Sequence, residues 1–371
     1  MRLVIFGLTI SSSWGNGHAT LWRGLCGALA RTGHHVTFFE RDVPYYAAHR
    51  DLHALAGGEF RLYNAWDDVS GAARDALGRA DAGIVTSYCP DALAASALML
   101  DSKAARVFYD LDTPVTLARL DATDGGGGGA GDGAVPHLGP RGLRDFDLVL
   151  SFTGGPALDA LRGRLGARRV APLYGSVDPG AHRPVPRRPG ARRAALSYLG
   201  TYAADRQRAL DALFLEVARR RTDRRFLLGG SLYPDDFPWA ANVDHVRHVA
   251  PHGHAAFYAG AALTLNVTRG PMAAMGYCPS GRLFEAAACG APILSDRWEG
   301  IERFFTPGAE ILLAETTEDA LGAIGLADRE LDEIACAARE RALTQHTAAR
   351  RAAELVALIE SAGPGGAPCG A

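Results

Sequence analysis

Residues 280–296 read SGRLFEAAACGAPILSD, and this stretch determines the predicted fold class. Good helix formers follow Ser280, and Cys289-Gly290 ends the predicted helix before a short apolar strand at 291–294. Ser280 is a suitable N-cap, because its hydroxyl can accept a hydrogen bond from a free N–H group of the first turn. A helix that leads into a short buried strand is the repeating unit of a parallel α/β sheet.

Glu285 is the one carboxylate of this helix and lies one turn from its start. Its neighbours Leu283 and Phe284 and the following alanines indicate a semi-buried position, where a carboxylate needs hydrogen-bond donors. A ribose diol supplies two donors, and the free N–H groups at Ser280-Gly281 attract an anion. The pattern predicts a nucleotide site with the pyrophosphate at the helix N-terminus and the ribose on Glu285. Compensation of the helix dipole is the alternative explanation of this carboxylate.

The alternation of strand and helix extends over most of the chain. Residues 2–40 predict a strand, a polar loop, a helix over 18–32 that ends at Gly33, and a second strand. Further strands are predicted at 81–88, 105–111, 146–152, 168–174, 194–200, 224–230, 261–267 and 291–296. Further helices are predicted at 204–221, 321–343 and 347–359. The fold class is therefore α/β with parallel sheets, in which ligands bind beyond the carboxyl ends of the strands.

The length of 371 residues and one segment of unusual composition predict two domains. That segment, 177–193, is rich in Pro and Arg, has no periodic pattern and is interpreted as a linker. A first Rossmann-like domain is expected over 1–176 and a second over 194–346. The glycine-rich residues 124–133 are expected to form a flexible loop, and residues 362–371 a disordered tail.

The composition argues against several classes of protein. A formal net charge of -2 provides no basic surface for nucleic acid or for an anionic membrane. The six cysteines show no CxxC spacing, so neither a zinc site nor a disulfide framework is indicated, and a cytoplasmic location is expected. The start MRLVIFGL lacks the features of a signal peptide, and no run reaches the roughly 18 apolar residues of a membrane span.

The polar loop after the first strand is a second candidate site. Gly15 and Gly17 permit a tight turn whose amides can approach a ligand. Thr20 stands where a dinucleotide fingerprint has glycine, and Glu40 ends the next strand, so an NAD(P)-dependent oxidoreductase is one alternative. His18 begins the predicted helix and is either an exposed side chain or a hydrogen-bonding group for a ligand. The residues assigned to this ligand-facing loop are Trp14, Gly15, Asn16 and Gly17.

Two further groups follow strands of the first domain. Asp110 and Asp112 have the spacing of a metal-binding DxD motif, but they lie outside the domain with the nucleotide pattern. We retain two interpretations: one aspartate caps the following turn, or the pair orients hydroxyl groups of a ligand. Thr153, Gly154 and Gly155 form either a tight connection or another part of the ligand-facing loop.

The second domain contains several groups suited to a diphosphate. Arg206 lies beside a glycine turn and Arg269 follows a strand, and an arginine can bind a diphosphate through two parallel hydrogen bonds. A solvated surface arginine is the alternative in both cases. The other candidates at strand ends are Gly200, Thr201, Tyr202 and Asn266.

The second domain also contains a histidine-rich segment. Its histidines lack the spacing of metal ligands and are interpreted as a loop, so no metal site is predicted. The residues 246–249 within this segment are a candidate for contacts to the nucleobase. The histidines concerned are His245, His248, His252 and His254.

Seven stretches of the chain form a set that is more specific than any one of its members. They are SSWGNGHATLWRGL (12–25), FYDLDTP (108–114), LVLSFTGGPALDAL (148–161), PLYGSVDP (172–179), SYLGTYAADRQ (197–207), LTLNVTR (263–269) and YCPSGRLFEAAACGAPILSDRWEGIERFF (277–305). As a set they resemble the spore-maturation (CgeB-like) group of GT-B glycosyltransferases, and the resemblance covers most of the chain. It implies the GT-B fold, two Rossmann-like domains that face each other across a cleft, with the C-terminal helix 347–361 packed on the first domain.

The resemblance implies transfer of a sugar from a nucleoside-diphosphate sugar, UDP- or TDP-linked, to an acceptor molecule. The expected reaction retains the anomeric configuration and needs no metal or other cofactor. The second domain would bind the donor, and Arg206 or Arg269 would stabilise the leaving diphosphate. The first domain would bind the acceptor. The candidate catalytic residues are His18, Asp110 and Asp112, and the candidate nucleotide-binding residues of the helix are Ser280, Gly281, Arg282 and Glu285.

The sequence departs from related families at one position, and it leaves three alternative functions open. Related retaining families carry two glutamates separated by seven residues. Glu285 matches the second, but Tyr277 stands at the position of the first, so the mechanism of those families transfers only in part. A sugar-nucleotide 2-epimerase shares the GT-B fold and is the first alternative. The oxidoreductase described above and a nucleotide-binding module without catalysis are the others.

Overall fold

The computed structural model of the chain describes residues 1–124, 135–186 and 193–362. It forms two compact units. Unit 1 comprises Met1–Ser12, His18–Tyr174 and the chain from Ala348 onwards, and unit 2 comprises Ser13–Gly17 and Gly175–Thr347. The predicted glycine-rich loop and disordered tail lie outside the described residues, except for Asp124 and Ala362.

Unit 1 is built on a parallel sheet. Its strands are β1 (Arg2–Gly7), β2 (His35–Arg41), β3 (Gly58–Tyr63), β4 (Ala82–Thr86), β5 (Ala105–Asp110), β6 (Leu148–Ser151) and β7 (Val170–Pro172). They pair in parallel in the order β3-β2-β1-β4-β5-β6-β7. This is the doubly wound order, which reverses its direction between β1 and β4. All the predicted strands of this unit are confirmed, and β3, a largely exposed edge strand, was not predicted.

The helices of unit 1 connect successive strands. They are α1 (His18–Arg31), α2 (Pro44–Ala47), α3 (Trp66–Leu77), α4 (Ala92–Leu100), α5 (Thr113–Asp124) and α6 (Pro156–Leu165). Helix α1 begins at His18 as predicted, and Gly33 follows it with φ of 81°, a left-handed conformation that favours glycine. Trp22 of α1 is buried against the rings of Phe38 and Tyr109, with centroid distances of 5.7 and 5.8 Å. This aromatic contact holds α1 on the sheet beside the loop that follows β1.

Unit 2 repeats the same architecture. Its strands are β8 (Ala194–Leu199), β9 (Phe226–Gly229), β10 (Val243–Val246), β11 (Ala261–Asn266), β12 (Ile293–Asp296) and β13 (Leu312–Ala314). They pair in parallel in the order β10-β9-β8-β11-β12-β13, which reverses between β8 and β11. The edge strands β10 and β13 were not predicted. The interpretation of His245 as part of a loop is wrong, because it lies in β10, whose exposed residues VDHV give no apolar signal.

The helices of unit 2 and the last described helix follow in chain order. They are α7 (Gln207–Leu210), α8 (Glu216–Arg220), α9 (His254–Ala259), α10 (Gly270–Met275), α11 (Gly281–Ala288), α12 (Thr317–Ala323), α13 (Asp328–Gln345) and α14 (Ala348–Ala362). The predicted helix at 204–221 is present as one helical segment. Between α7 and α8 this segment contains the π-helical turn Asp211–Leu215.

One predicted helix is wrong in its extent. The helix predicted over 321–343 is two helices, α12 and α13, separated at residues 324–327. Thr316 begins α12 as an N-cap, and its side chain and that of Asp319 satisfy each other's backbone N–H groups. Glu330 similarly accepts a hydrogen bond from the Ala327 N–H at the start of α13. Both starts are capped by short-range hydrogen bonds, which the apolar periodicity does not reveal.

Helix α14 belongs to unit 1, although the chain reaches it from unit 2. It packs against α1 and against the sheet at β5 and β6. Its apolar face is buried at Leu355 and Ile359. Unit 1 is therefore assembled from both ends of the described chain.

Glu40, at the end of β2, fixes the loop that follows β1. It is fully buried, and its carboxylate accepts hydrogen bonds from Thr9 Oγ1 at 2.7 Å, from Ile10 N at 2.7 Å, and from Ser11 N and Oγ at 3.0 and 2.6 Å. In a dinucleotide-binding protein the acidic residue that ends this strand binds the ribose. Glu40 is committed to the protein's own loop instead, which disfavours the oxidoreductase alternative.

We expect Glu40→Ala to destabilise the protein by about 3 kcal/mol, because it leaves two buried backbone N–H groups without an acceptor. Urea-induced unfolding measures this loss. The control is Glu59→Ala in β3, an exposed carboxylate paired with Arg61, which should change stability by no more than about 0.5 kcal/mol. An equal effect of the two substitutions would contradict the role given to Glu40.

Candidate functional site

The reversal of strand order in unit 2 defines its candidate site. In doubly wound sheets, ligands bind beyond the carboxyl ends of the strands at this point. Gly200 follows β8 here, and Asn266 ends β11. Arg282 reaches both strand ends, because its Nη1 donates to Asn266 Oδ1 at 2.8 Å and its guanidinium lies 5.3 Å from the ring centre of Tyr198. A positive charge is thereby held where a ligand would enter.

Asn266 is itself held in place. Its Nδ2 donates to Ser295 Oγ at 3.0 Å, so its Oδ1 is oriented toward Arg282. Both Asn266 and Ser295 are buried. The guanidinium position is therefore set by a chain of hydrogen bonds that runs across β11 and β12.

The start of α11 is built as the sequence predicted. Ser280 is its N-cap, and the side-chain oxygen accepts a hydrogen bond from Arg282 N at 3.4 Å. A Cβ at Gly281 would meet no atom within 4 Å, so the backbone there is open to close approach. The N–H groups of this first turn and the Arg282 side chain come from the same few residues, which suits an anionic ligand.

The turn after β8 requires glycine. A Cβ at Gly200 would lie 2.7 Å from the Tyr198 hydroxyl and 3.0 Å from Arg282 Nη2. Gly230, with φ of 149°, packs so closely that its own Cβ would lie 2.0 Å from the Gly200 carbonyl oxygen. Tyr233 donates its hydroxyl to that same oxygen at 2.9 Å. The glycine turn is thus locked beside the Arg282 guanidinium.

The other predicted diphosphate ligands have partners within unit 2. Arg206 donates from Nη1 to the Thr201 carbonyl at 3.1 Å, and Arg269 donates from Nε to Asp205 at 3.0 Å. Tyr202 packs against Tyr233, with ring centres 5.6 Å apart. Arg282 is therefore the arginine that the fold places at the reversal of strand order, and Arg206 and Arg269 lie in the segments beside it.

Glu285 has partners that the sequence analysis missed. It is 9% exposed, with Oε2 at 3.4 Å from Nδ1 of His254 and Oε1 at 3.9 Å from Nε2 of His182. Burial alone would raise the pKa of this carboxyl, but the two histidines and then Arg282 lower it to about 2. His182 lies in the predicted linker, and its spacing from Glu285 in the sequence does not indicate that the two side chains meet. Two histidines of unit 2 therefore lie beside the carboxylate for which the sequence predicts a ribose partner.

The histidine-rich segment is divided among different partners. His245 lies 2.9 Å from the Gly230 carbonyl and packs on Trp239, with ring centres 4.5 Å apart. His248 packs on Trp14 of the first loop, with ring centres 4.7 Å apart, both within unit 2. His254 instead turns to Glu285.

The predicted ligand-facing loop begins after β1. Gly15 has φ of 61°, and Asn16 is buried with its N–H donated to the Ser13 carbonyl at 3.2 Å. A Cβ at Gly17 would meet nothing within 4 Å. His18 is half-buried beside Phe152, with ring centres 6.2 Å apart. The loop has the tight turn that its glycines predicted.

The acidic pair of unit 1 lies at the carboxyl end of β5. Asp110 is fully buried, and its Oδ1 accepts from Asp112 N and Thr116 Oγ1, each at 3.2 Å. Its Oδ2 has no hydrogen-bond partner among the described residues, and burial raises the pKa of Asp110 to about 6. Asp112 directly precedes α5 and accepts a hydrogen bond from the Tyr88 hydroxyl at 2.9 Å.

Tyr88 and His137 complete this group, and neither was predicted. Tyr88 has φ of 67°, an uncommon conformation for a residue other than glycine, and its N–H faces His137 Nδ1 at 3.4 Å. Burial lowers the pKa of His137 to about 4, with a smaller effect of Arg119. The group thus combines a neutral histidine with two carboxyls.

Thr153, Gly154 and Gly155 form the connection from β6 to α6. Thr153 is buried, and its N–H donates to Ser151 Oγ at 3.0 Å. A Cβ at Gly154 would lie 2.0 Å from the Tyr174 hydroxyl, and Gly155 has φ of 56°. Both glycines are therefore required by the connection itself.

Comparison with known proteins agrees with this architecture. Residues 206–357 match the family model described as Glycosyl transferase-like. The chain superposes on sucrose-phosphate synthase from Thermosynechococcus elongatus with a TM-score of 0.66 and 14% identity, over 97% of this chain and 98% of the other. The chain has the GT-B fold. The prediction of this fold is confirmed, and the match of residues 206–357 is in keeping with the prediction of a glycosyltransferase.

Two further solved structures support the assignment of the fold. Anabaena HepE, in complex with UDP and glucose, gives a TM-score of 0.65 at 13% identity, over 97% of this chain and 100% of HepE. An alpha-glucosyltransferase in complex with UDP gives 0.68 at 12% identity, over 97% and 100%. No curated protein sequence matches the chain. Among the described helices, none is long and apolar enough to cross a membrane.

We expect Asp110→Asn to reveal the raised pKa of this carboxyl as a dependence of stability on pH. A carboxyl group with a higher pKa in the folded than in the unfolded state binds its proton more tightly when folded. The wild type should therefore gain stability relative to Asp110→Asn as the pH falls from about 6 toward 3.8, by roughly 3 kcal/mol. Urea unfolding at pH 7.5 and pH 4 measures this difference.

The control for Asp110→Asn is Asp159→Asn, an exposed aspartate of α6. It changes the net charge equally, so it reports the general effect of the lost charge. A difference between wild type and Asp110→Asn that is the same at both pH values would contradict the expectation.

Proposed function

We propose that the chain transfers a sugar from a nucleoside-diphosphate sugar, UDP- or TDP-linked, to an acceptor molecule. The observation that carries the proposal is the position of Arg282. It joins the open first turn of α11 to the ends of β8 and β11, where a doubly wound sheet binds its ligand. HepE, of the same fold, has been solved with UDP-glucose, which supports a donor of this class.

The diphosphate is proposed to lie at the start of α11. Negative charge develops on it as the bond to the anomeric carbon breaks, and fixed donors stabilise that charge without rearrangement. The Arg282 guanidinium and the N–H groups after Ser280 provide such donors. Because these groups supply the positive charge, we propose that no metal ion is needed on the diphosphate.

The ribose is proposed to bind Glu285, one turn further into α11. Its carboxylate stays ionised because the two histidines and Arg282 lower its pKa, and an ionised carboxylate has roughly four lone-pair positions that can accept hydrogen bonds. The nucleobase would then lie near 246–249, where β10 ends.

Unit 1 is proposed to bind the acceptor. His18, Asp110 and Asp112 are retained as its candidate catalytic residues. The full burial of Asp110 makes the partly exposed His18 the better candidate for contact with a substrate. We further propose a retaining reaction, membership of the CgeB-like group and a cytoplasmic location.

Two activities of the same fold are separated by their products. A transferase releases a nucleoside diphosphate in proportion to turnover, whereas a sugar-nucleotide 2-epimerase returns the sugar nucleotide intact. No observation on the described residues favours the epimerase.

We expect UDP or TDP to raise the melting temperature in the presence of EDTA, and GDP, ADP, NAD and NADP to have smaller effects.

Arg282→Ala should weaken binding of the preferred nucleotide by roughly 10- to 100-fold, because it removes charged hydrogen bonds to the diphosphate. Glu285→Gln should weaken nucleotide binding while sparing binding of inorganic diphosphate. Thermal shift over a range of ligand concentrations measures these affinities.

The control for Arg282→Ala is Arg220→Ala, an exposed arginine at the end of α8 that pairs with Glu216. It should bind nucleotides as the wild type does. The proposal fails if UDP and TDP bind Arg282→Ala as tightly as they bind the wild type. It also fails if NAD or NADP alone stabilises the protein.

A further inference from the structure

Three side chains of unit 2 from distant parts of the sequence converge on one point. His182 comes from the segment that follows Val177, His254 is the first residue of α9, and Glu285 lies in α11. One nitrogen of each histidine and one carboxylate oxygen of Glu285 all lie within 4.8 Å of one another. They form the one such group of three or more potential metal-binding side chains found among the described residues.

The hydrogen bonds around His254 determine which of its nitrogens faces this point. Nε2 lies 3.2 Å from the Val249 carbonyl oxygen, which can only accept, so Nε2 must bear the hydrogen. In a neutral His254, Nδ1 then carries no hydrogen and has a free lone pair. It faces Nε2 of His182 at 3.2 Å and Oε2 of Glu285 at 3.4 Å.

The lone pair on His254 Nδ1 and the carboxylate of Glu285 repel each other unless a cation lies between them. Either a proton or a metal ion can satisfy this requirement. The distances are compatible with a metal ion, because nitrogen and oxygen ligands of tetrahedral zinc, at bond lengths near 2.0–2.1 Å, are separated by about 3.4 Å. His254 Nδ1 lies near that separation from both His182 Nε2, at 3.2 Å, and Glu285 Oε2, at 3.4 Å. His182 Nε2 lies 3.9 Å from the other carboxylate oxygen, Oε1.

We propose that His182 Nε2, His254 Nδ1 and the carboxylate of Glu285 form a binding site for one divalent transition-metal ion of the zinc class. Two histidines and one carboxylate are a common ligand set for such ions. The Val249 carbonyl acts on His254 as an outer partner that fixes the tautomer and the ring orientation.

Tyr258 supplies a second observation at this site. It lies one turn after His254 on α9, is 1% exposed, and its hydroxyl has no hydrogen-bond partner among the described residues. Burial and then the charge of Glu285 raise the pKa of this hydroxyl well above its usual range, so it stays protonated. A water molecule on the open fourth position of the ion would give this hydroxyl a partner.

The site is distinct from the proposed diphosphate contact. The ion would lie beside Glu285, deeper along α11 than Ser280 and Gly281, and would join the segment around His182 to α9 and α11. At least one lone pair of the Glu285 carboxylate stays available to accept a hydrogen bond from a ribose. The inference does not rest on the proposed function, because metal binding is measured without any nucleotide.

The test uses the full chain, dialysed against a chelator and titrated with ZnCl₂ by isothermal calorimetry. We expect one zinc ion per chain. His182→Ala and His254→Ala should each weaken binding about tenfold or more, since each loses a ligand. His252→Ala, which removes an exposed histidine of the same segment, is the matched control and should bind zinc as the wild type does.

Absence of stoichiometric zinc binding would overturn the proposal and leave a proton as the cation of this group. Equal affinity of His182→Ala, His254→Ala and the wild type would also overturn it. If these variants fail to fold, Co²⁺ added to the wild type decides the matter. Intense visible absorption of four-coordinate cobalt supports the site, and the weak absorption of six-coordinate cobalt contradicts it.

Discussion

The parallel direction of every strand is the constraint on which the rest of this structure depends. Because the strands of a sheet run one way, each of them delivers its following loop to the same edge. In unit 2, residues as far apart in sequence as Gly200, Asn266 and Arg282 meet there for this reason. The reversal of strand order then separates the helix that follows β8 from the helix that follows β11. The Arg282 guanidinium lies at the strand ends between them. The candidate site follows from the topology.

The buried strands were predictable because their apolar runs are continuous. The edge strands β3, β10 and β13 were not, because one side of each faces solvent and their sequences, such as VDHV, resemble loops. The division between α12 and α13 was missed for a different reason. Helix periodicity continues across residues 324–327, and the hydrogen bond from Ala327 N–H to Glu330 marks the start of α13 after this break. Local pattern therefore predicted the core better than the edges.

Within the site, the sequence identified residues better than partners. Ser280, Gly281, Arg282 and Asn266 were all candidates, and the structure joins them. Glu285 is buried, and the two histidines beside it could not be found by spacing. His182 lies in a segment with the composition of a linker, and its burial results from tertiary packing. Glu40 shows the converse, a motif position whose hydrogen bonds are all internal.

The assembly of unit 1 from both ends of the chain has a consequence for biosynthesis. The sheet of unit 1 is translated first, yet α14, which covers α1, is translated after all of unit 2. Unit 2 has its full set of residues by Thr347, before α14 is translated. The first unit to emerge is therefore the last to be completed, and until then the surface of α1 that α14 covers is open to chaperones.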